Sequence, residues 1–162
     1  MPTTPLTIAL VPLDERPVNT RYPQMLGAIG GADVRLPPPE IRGAGRVPAD
    51  KQAVARWLSG ARGADAAIVS CDFFGFGNLI NARISNDSAA QVLARLRALG
   101  LLNRVCPVHA FSLLTRVSNA DDAVEEPESW AGWGTKFYRY ARLMHQAELE
   151  MQAHETALAA RR

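Results

Sequence analysis

Cysteine is scarce in this sequence, basic runs are missing, and no apolar stretch is long. Only Cys71 and Cys106 occur in 162 residues, with no CxxC spacing and no histidine cluster beside either. That excludes a disulfide scaffold and a zinc finger, and it predicts two reduced thiols in strand-like segments and a reducing, cytoplasmic compartment. The net charge of +2 comes from scattered arginines. Nucleic-acid binding needs a clustered basic footprint, so a nucleic-acid partner is not expected. The apolar runs are too short for a membrane span, and the opening MPTTPLTIALVPL has no basic n-region, so neither a membrane partner nor a signal peptide is expected. No lysine followed by serine or threonine closes the glycine-containing loops, which argues against a nucleotide. His109 reads as a core residue of a strand, and His145 and His154 lie on a polar helix without ligand spacing. No metal and no cofactor are expected.

What is present has the proportions of a soluble domain: 48% hydrophobic and 21% charged residues, enough to build a core. Four short apolar runs, near residues 6–13, 33–36, 65–71 and 104–111, read as strands, the first with the pattern of a strand covered on both faces. Between them lie stretches with helical spacing. Tyr22, Met25, Leu26 and Ile29 form one stripe, Val54, Trp57, Leu58 and Ala61 a second, and Val92, Leu93, Leu96 and Leu99 a third. Asp50 caps the second stripe, Asp87 or Ser88 caps the third, and Gly100 closes it. The stretches RGAGRVP and FFGFGNLINARISN read as loops. This alternation predicts an α/β fold of parallel βαβ units, either the N-terminal half of a (β/α)8-like barrel or an open doubly wound sheet. The organisation expected is an α/β core over residues 1–128 and a long helical segment over 129–162, reaching about 40 Å at 1.5 Å per residue. An incomplete barrel would leave strand edges and apolar helix faces uncovered, and these invite self-association.

The chemically interesting residues fall just after the predicted strands. LDERPVN places Asp14, Glu15, Arg16 and Asn19 behind the first strand and stiffens them with Pro17, which could alternatively begin a helix at its first turn. CDFFGFGNLINAR places Asp72, Asn78, Asn81 and Arg83 behind the third, with Phe73, Phe74 and Phe76 as cover for the strand ends or as an aromatic wall for sugar rings. Ser112, Arg116 and Asn119 follow the fourth. Ligands of parallel α/β folds bind at the carboxyl ends of strands. Asp14 and Asp72 are therefore the candidate catalytic pair, and Glu15, Arg16, Asn19, Asn81, Arg83 and Arg116 the candidate substrate-binding residues. Paired carboxylates among amides and aromatics fit a glycoside-hydrolase-like enzyme acting on a carbohydrate or similar small molecule. The alternative is a non-catalytic sugar-binding or assembly module with the same strand-end residues.

Four blocks in order, IALVPLDERPVNTRYPQML, VPADKQAVARWL, AIVSCDFFGFGNLINAR and EEPESWAGWGTKFYRYARLMHQ, resemble the bacterial family known as domain of unknown function 4127. The resemblance implies a protein of several hundred residues, of which this chain would be roughly the N-terminal third and inactive alone. Asp72 and Arg83 match the third block of the family pattern. Phe76, Gly77 and Asn78 stand where that pattern has a tyrosine and glycines.

Overall fold

A computed structural model describes residues 5–61 and 63–160. The apolar run LTIALV forms strand β1 (Leu6–Val11), followed by helix α1 (Arg21–Ile29) and strand β2 (Ala32–Arg35). A single turn, α2 (Pro39–Arg42), and helix α3 (Lys51–Gly60) lead to β3 (Ala66–Ser70). Two short helices come next, α4 (Cys71–Phe76) and α5 (Leu79–Ile84), then α6 (Ala89–Leu102) and β4 (Val108–Phe111). A 3-10 turn at Glu128–Trp130 precedes the long helix α7 (Gly134–Ala159).

All strand pairs are parallel, in the order β2-β1-β3-β4. A (β/α)8 barrel lays its strands side by side in chain order. Here β1 sits between β2 and β3, so these four strands form an all-parallel sheet whose order is not that of a half-barrel. The cause is a reversal of winding. Thr7, Ala9 and Val11 alternate with Ile8 and Leu10 across the pleat. Ala9, Val11, Ala67 and Val69 pack with Val54 and Leu58 of α3, Phe73 and Phe74 of α4, and Leu99 of α6. On the opposite face Ile8, Leu10, Val34 and Ile68 line an apolar groove together with Pro23, Leu26 and Gly27 of α1.

Helix starts follow ordinary capping chemistry. Asp50 accepts from the backbone N–H groups of Gln52 and Ala53 at 3.0 and 2.9 Å, and Ser88 forms a reciprocal capping box with Gln91. Lys51 and Arg95 both reach Asp87, tying the start of α3 to α6. α6 runs past Gly100 to Leu102, because a lone helix glycine costs only about 1 kcal/mol and Leu99 is anchored in the core.

Several expectations need correction. Most of residues 73–86 is helical and not a loop: Ser70 caps α4 and Asn78 caps α5, each through a side-chain oxygen. The third strand stops at Ser70, and Cys71 opens a helix instead of closing a strand. The fourth strand is only Val108–Phe111, so Cys106 lies outside it, and His109 is exposed because β4 is an edge strand. RGAGRVP is folded into a narrow turn with a bridge between Ala44 and Val47. Phe73 and Phe74 are core residues at 1% and 3% exposure, out of reach of a sugar ring. Both cysteines are free thiols, and burial and the neighbouring Asp72 push the Cys71 thiol above its ordinary pKa.

The chain divides into two compact units, the sheet domain ending at Leu113 and a second unit beginning at Leu114. In the second, Asp121 accepts from the backbone N–H of Thr135 at 2.7 Å and from its hydroxyl, which holds the first turn of α7. Phe137 lies against Trp130 and Trp133 with ring centroids 5.1 and 6.5 Å away, and Lys136 sits over the Trp133 ring. α7 is exposed along most of its length, Tyr140, Leu143 and Met151 included. Among the described residues no helix is long and apolar enough to cross a membrane.

The two sheet faces differ in packing, and this predicts unequal responses to truncation. Phe73→Ala should destabilise the protein by about 3–5 kcal/mol, whereas Phe111→Ala, on the edge strand at 38% exposure, should cost about 1 kcal/mol or less. Equal losses in chemical denaturation would contradict the assignment of the core to the Phe73 side.

Candidate functional site

In an open parallel sheet, the crevice for a ligand opens where neighbouring strands send their connections to opposite faces. That switch lies between β1 and β3 here. The register pairs Val11 with Val69, so Asp14 and Asp72 each stand three residues beyond a matched pair on adjacent strands.

Asp14 is buried at 4% exposure and its carboxylate is saturated. Oδ1 accepts from the Arg16 backbone N–H at 3.0 Å and from Asn19 Nδ2 at 2.6 Å, and Oδ2 accepts from Arg16 Nε at 2.8 Å and Nη2 at 2.5 Å. Burial alone would raise its pKa. The hydrogen bonds from the Arg16 side chain, from Asn19 and from the Arg16 backbone outweigh that and hold the carboxyl below its ordinary value. The Arg16 side chain remains half exposed.

The backbone around this cluster closes on itself. Asn19 and Thr20 N–H groups donate to the Arg16 carbonyl at 2.9 and 3.1 Å, and the Thr20 hydroxyl reaches the same oxygen at 3.0 Å. Pro17 does not begin α1. It lies in the preceding turn, where its fixed φ and missing N–H suit a bend, and its carbonyl accepts from Tyr22 at 2.9 Å.

Other expected site residues serve as ties between loops. Glu15 Oε1 accepts from the Gly45 N–H at 2.9 Å, joining the turn after β1 to the loop before α3. Asn78 is 1% exposed and its amide is a hub: Nδ2 donates to the Gly45 carbonyl at 2.9 Å, and Oδ1 accepts from the Asn81 backbone and side chain at 2.8 and 2.9 Å. Asn81 is thus turned toward Asn78. Leu79 N–H donates to the Leu13 carbonyl at 3.2 Å, strapping α5 to the end of β1. Gly77 ends α4 at φ +113°, and a Cβ there would come within 2.7 Å of the Pro48 Cβ, so only glycine lets the chain pass. Arg83 lies in the last turn of α5.

Asp72 is 8% exposed and sits in the first turn of α4. Its Oδ2 accepts from the Leu113 N–H at 3.0 Å and from the Ser112 hydroxyl at 3.4 Å, tying β3 to the exit of β4. Its Oδ1 accepts no hydrogen bond from the described residues. Arg116 belongs to the second unit, where it donates to Asn119 at 3.5 Å.

The structure therefore brings Asp14, Arg16 and Asn19 into one cluster and Asn78 with Asn81 into another. Two partners escaped the sequence reading: the Gly45 backbone and the Leu113 N–H. Neither has a side-chain signature. The hub role of Asn78 did have one, an asparagine directly before the apolar LINARI run, as expected of a helix cap.

A family model described as protein of unknown function (DUF4127) matches residues 8–161. The chain belongs to this family. No curated protein and no solved structure matches it. The family assignment carries no reaction, so the chemistry rests on the residues themselves.

The Asp14 cluster has a pH signature. Because its folded-state pKa lies below the ordinary value of 3.8, its contribution is fully present above that value and is lost as pH falls through the lower folded-state one. Asp14→Asn should flatten this acid limb in unfolding measurements and cost about 1–3 kcal/mol at neutral pH. An unchanged acid limb would show that the hydrogen bonds to Asp14 add nothing to the folded state.

Proposed function

We propose that the strand-end face at the β1/β3 switch binds a small hydroxyl-rich molecule, of which a carbohydrate is the best fit, with Arg16 and Asp72 toward the ligand. The observation that carries this reading is the Asp14 cluster. A buried carboxylate that receives three charge-assisted or amide side-chain bonds and one backbone bond is committed to holding Arg16. It has no lone-pair position convenient for a substrate proton. Asp14 is therefore a positioning residue, and the half-exposed Arg16 side chain that it fixes supplies planar donors to hydroxyl or anionic groups.

Asp72 has the complementary design. One oxygen is held by Ser112 and Leu113, which sets the orientation of the carboxylate, and the other is left to accept from a ligand hydroxyl. Glycoside hydrolysis needs two carboxyl groups, one of them protonated at the start. Within this chain Asp72 fits one of those places and Asp14 does not fit the other. Recognition is accordingly better supported than turnover, and the glycoside-hydrolase-like reading requires a second acid besides Asp14.

A saccharide panel followed by amide chemical shifts tests the reading. Saturable shifts should cluster at residues 14–19 and 72, and Arg16→Gln or Asp72→Asn should weaken binding by about tenfold or more, as expected for loss of a charged hydrogen-bond partner. Arg104→Gln should leave binding unchanged. Shifts spread evenly over the surface, or full affinity in both site variants, would rule the site out. Hydrolysis of aryl glycosides that disappears in Asp72→Asn would make the site an enzyme's.

A further inference from the structure

A polar cleft whose lining does not include Asp72 lies between α1 and the corner that follows β2. It encloses about 560 Å³ and is lined by Thr20, Arg21, Gln24, the segment 36–39 and Arg42. We propose that this cleft is a binding site for an oxyanion, a phosphoryl or carboxylate group carried by a small molecule. The inference does not depend on the strand-end reading.

Its first support is charge. The lining contains two guanidinium groups and no acid. Several cations of the sheet domain have acidic partners: Arg16 pairs with Asp14, Arg35 with Asp33, and Lys51 and Arg95 with Asp87. Among the described residues neither Arg21 nor Arg42 forms an ion pair. Two uncompensated guanidiniums lining one concave surface repel each other, and an anion between them removes that repulsion while taking planar, paired hydrogen bonds.

The second support is the wall. Pro37, Pro38 and Pro39 form a stiff side without N–H donors, and Pro37 is fully buried, so the corner carrying Arg42 is fixed. Arg42 itself is only half exposed. The neutral side chains are already committed: Gln24 Nε2 donates to the Val34 carbonyl at 3.1 Å, and the Thr20 hydroxyl donates to the Arg16 carbonyl. Selectivity thus falls to the arginines, and they favour oxyanions over sugars or apolar groups.

The test is a titration of the full chain with inorganic phosphate at fixed ionic strength, read by backbone amide and arginine side-chain NMR. Saturable shifts should centre on Arg21, Gln24 and Arg42. Arg21→Gln and Arg42→Gln should each weaken binding by about tenfold, and the double variant should abolish it. Arg42→Lys keeps the charge and loses the planar fork, so an intermediate affinity is expected. A parallel titration with citrate distinguishes a preference for carboxylate from one for phosphate. No saturable response to either anion would overturn the proposal, as would unchanged affinity in a double variant whose spectrum shows it folded. Shifts that track total ionic strength regardless of the anion would overturn it too.

Discussion

Asp14 brings a full negative charge into a place almost closed to water, and the loop after β1 is shaped by the need to satisfy it. A buried carboxylate is tolerable only with its lone pairs occupied. Four donors do this, and three of them come from the residue two positions along the chain. To deliver both backbone and side chain to one carboxylate, the chain must bend sharply at residues 15–17, and Pro17 limits how far that bend can relax. The direction of α1 follows from the bend, since the carbonyls of Arg16 and Pro17 accept the hydrogen bonds that lead into it. With α1 placed, β2 falls beside β1 on the side away from β3, and the switch point is set.

The remaining loops at the carboxyl end are held by polar ties, and the reason is geometric. Strand ends cannot pack on each other as side-chain layers do, so the backbone groups there need partners from neighbouring loops. Glu15 and Asn78 supply them on one side of β1, both through Gly45. Asp72 supplies them on the far side of β3. Each of these side chains crosses between segments 30 or more residues apart, so the ties depend on the completed sheet. They add little to forming it. Loops tied in this way hold one arrangement, and any group that bound them would meet a lower ordering cost.

Much of this was legible in the sequence. The four strands, their parallel sense and the helices led by Asp50 and Ser88 follow from apolar period and capping residues, because those signals are local. Strand order was not legible. A βαβ unit reads the same whether its helix lies on one face or the other, and only packing of Ala9, Val11, Ala67 and Val69 against α3 and α6 decides it. The segment after β3 was misread for a related cause. Its glycines and asparagines look like loop residues, yet Gly77 and Asn78 punctuate two short helices, and Phe73 and Phe74 complete the core. Residue types pointed to the carboxyl ends of β1 and β3, but what each side chain does depends on its partners. Asp14 and Asp72 look alike in sequence, and only their donors distinguish a saturated carboxylate from one with an open oxygen.

The sheet's two faces carry different burdens. One is closed by three helices and holds the main hydrophobic cluster, Val11, Val54, Val69 and Phe73 among it, so hydrophobic burial there supplies most of the stability of the domain. The other is covered in part by α1, with Val18 at 56% and Leu26 at 67% exposure around an apolar groove of about 480 Å³. Gly27 permits what cover there is: its backbone approaches so closely that a Cβ would fall 2.5 Å from Val34 Cγ2. α1 therefore rests mainly on β2 and takes its direction from the Asp14 turn more than from a broad apolar contact. Loss of that turn would loosen a helix that borders both the groove and the two-arginine cleft, whereas the core beyond the sheet would be untouched. The polar cluster at the end of β1 and the apolar packing on the α3 side are thus separate supports, one for the strand-end loops and one for the fold.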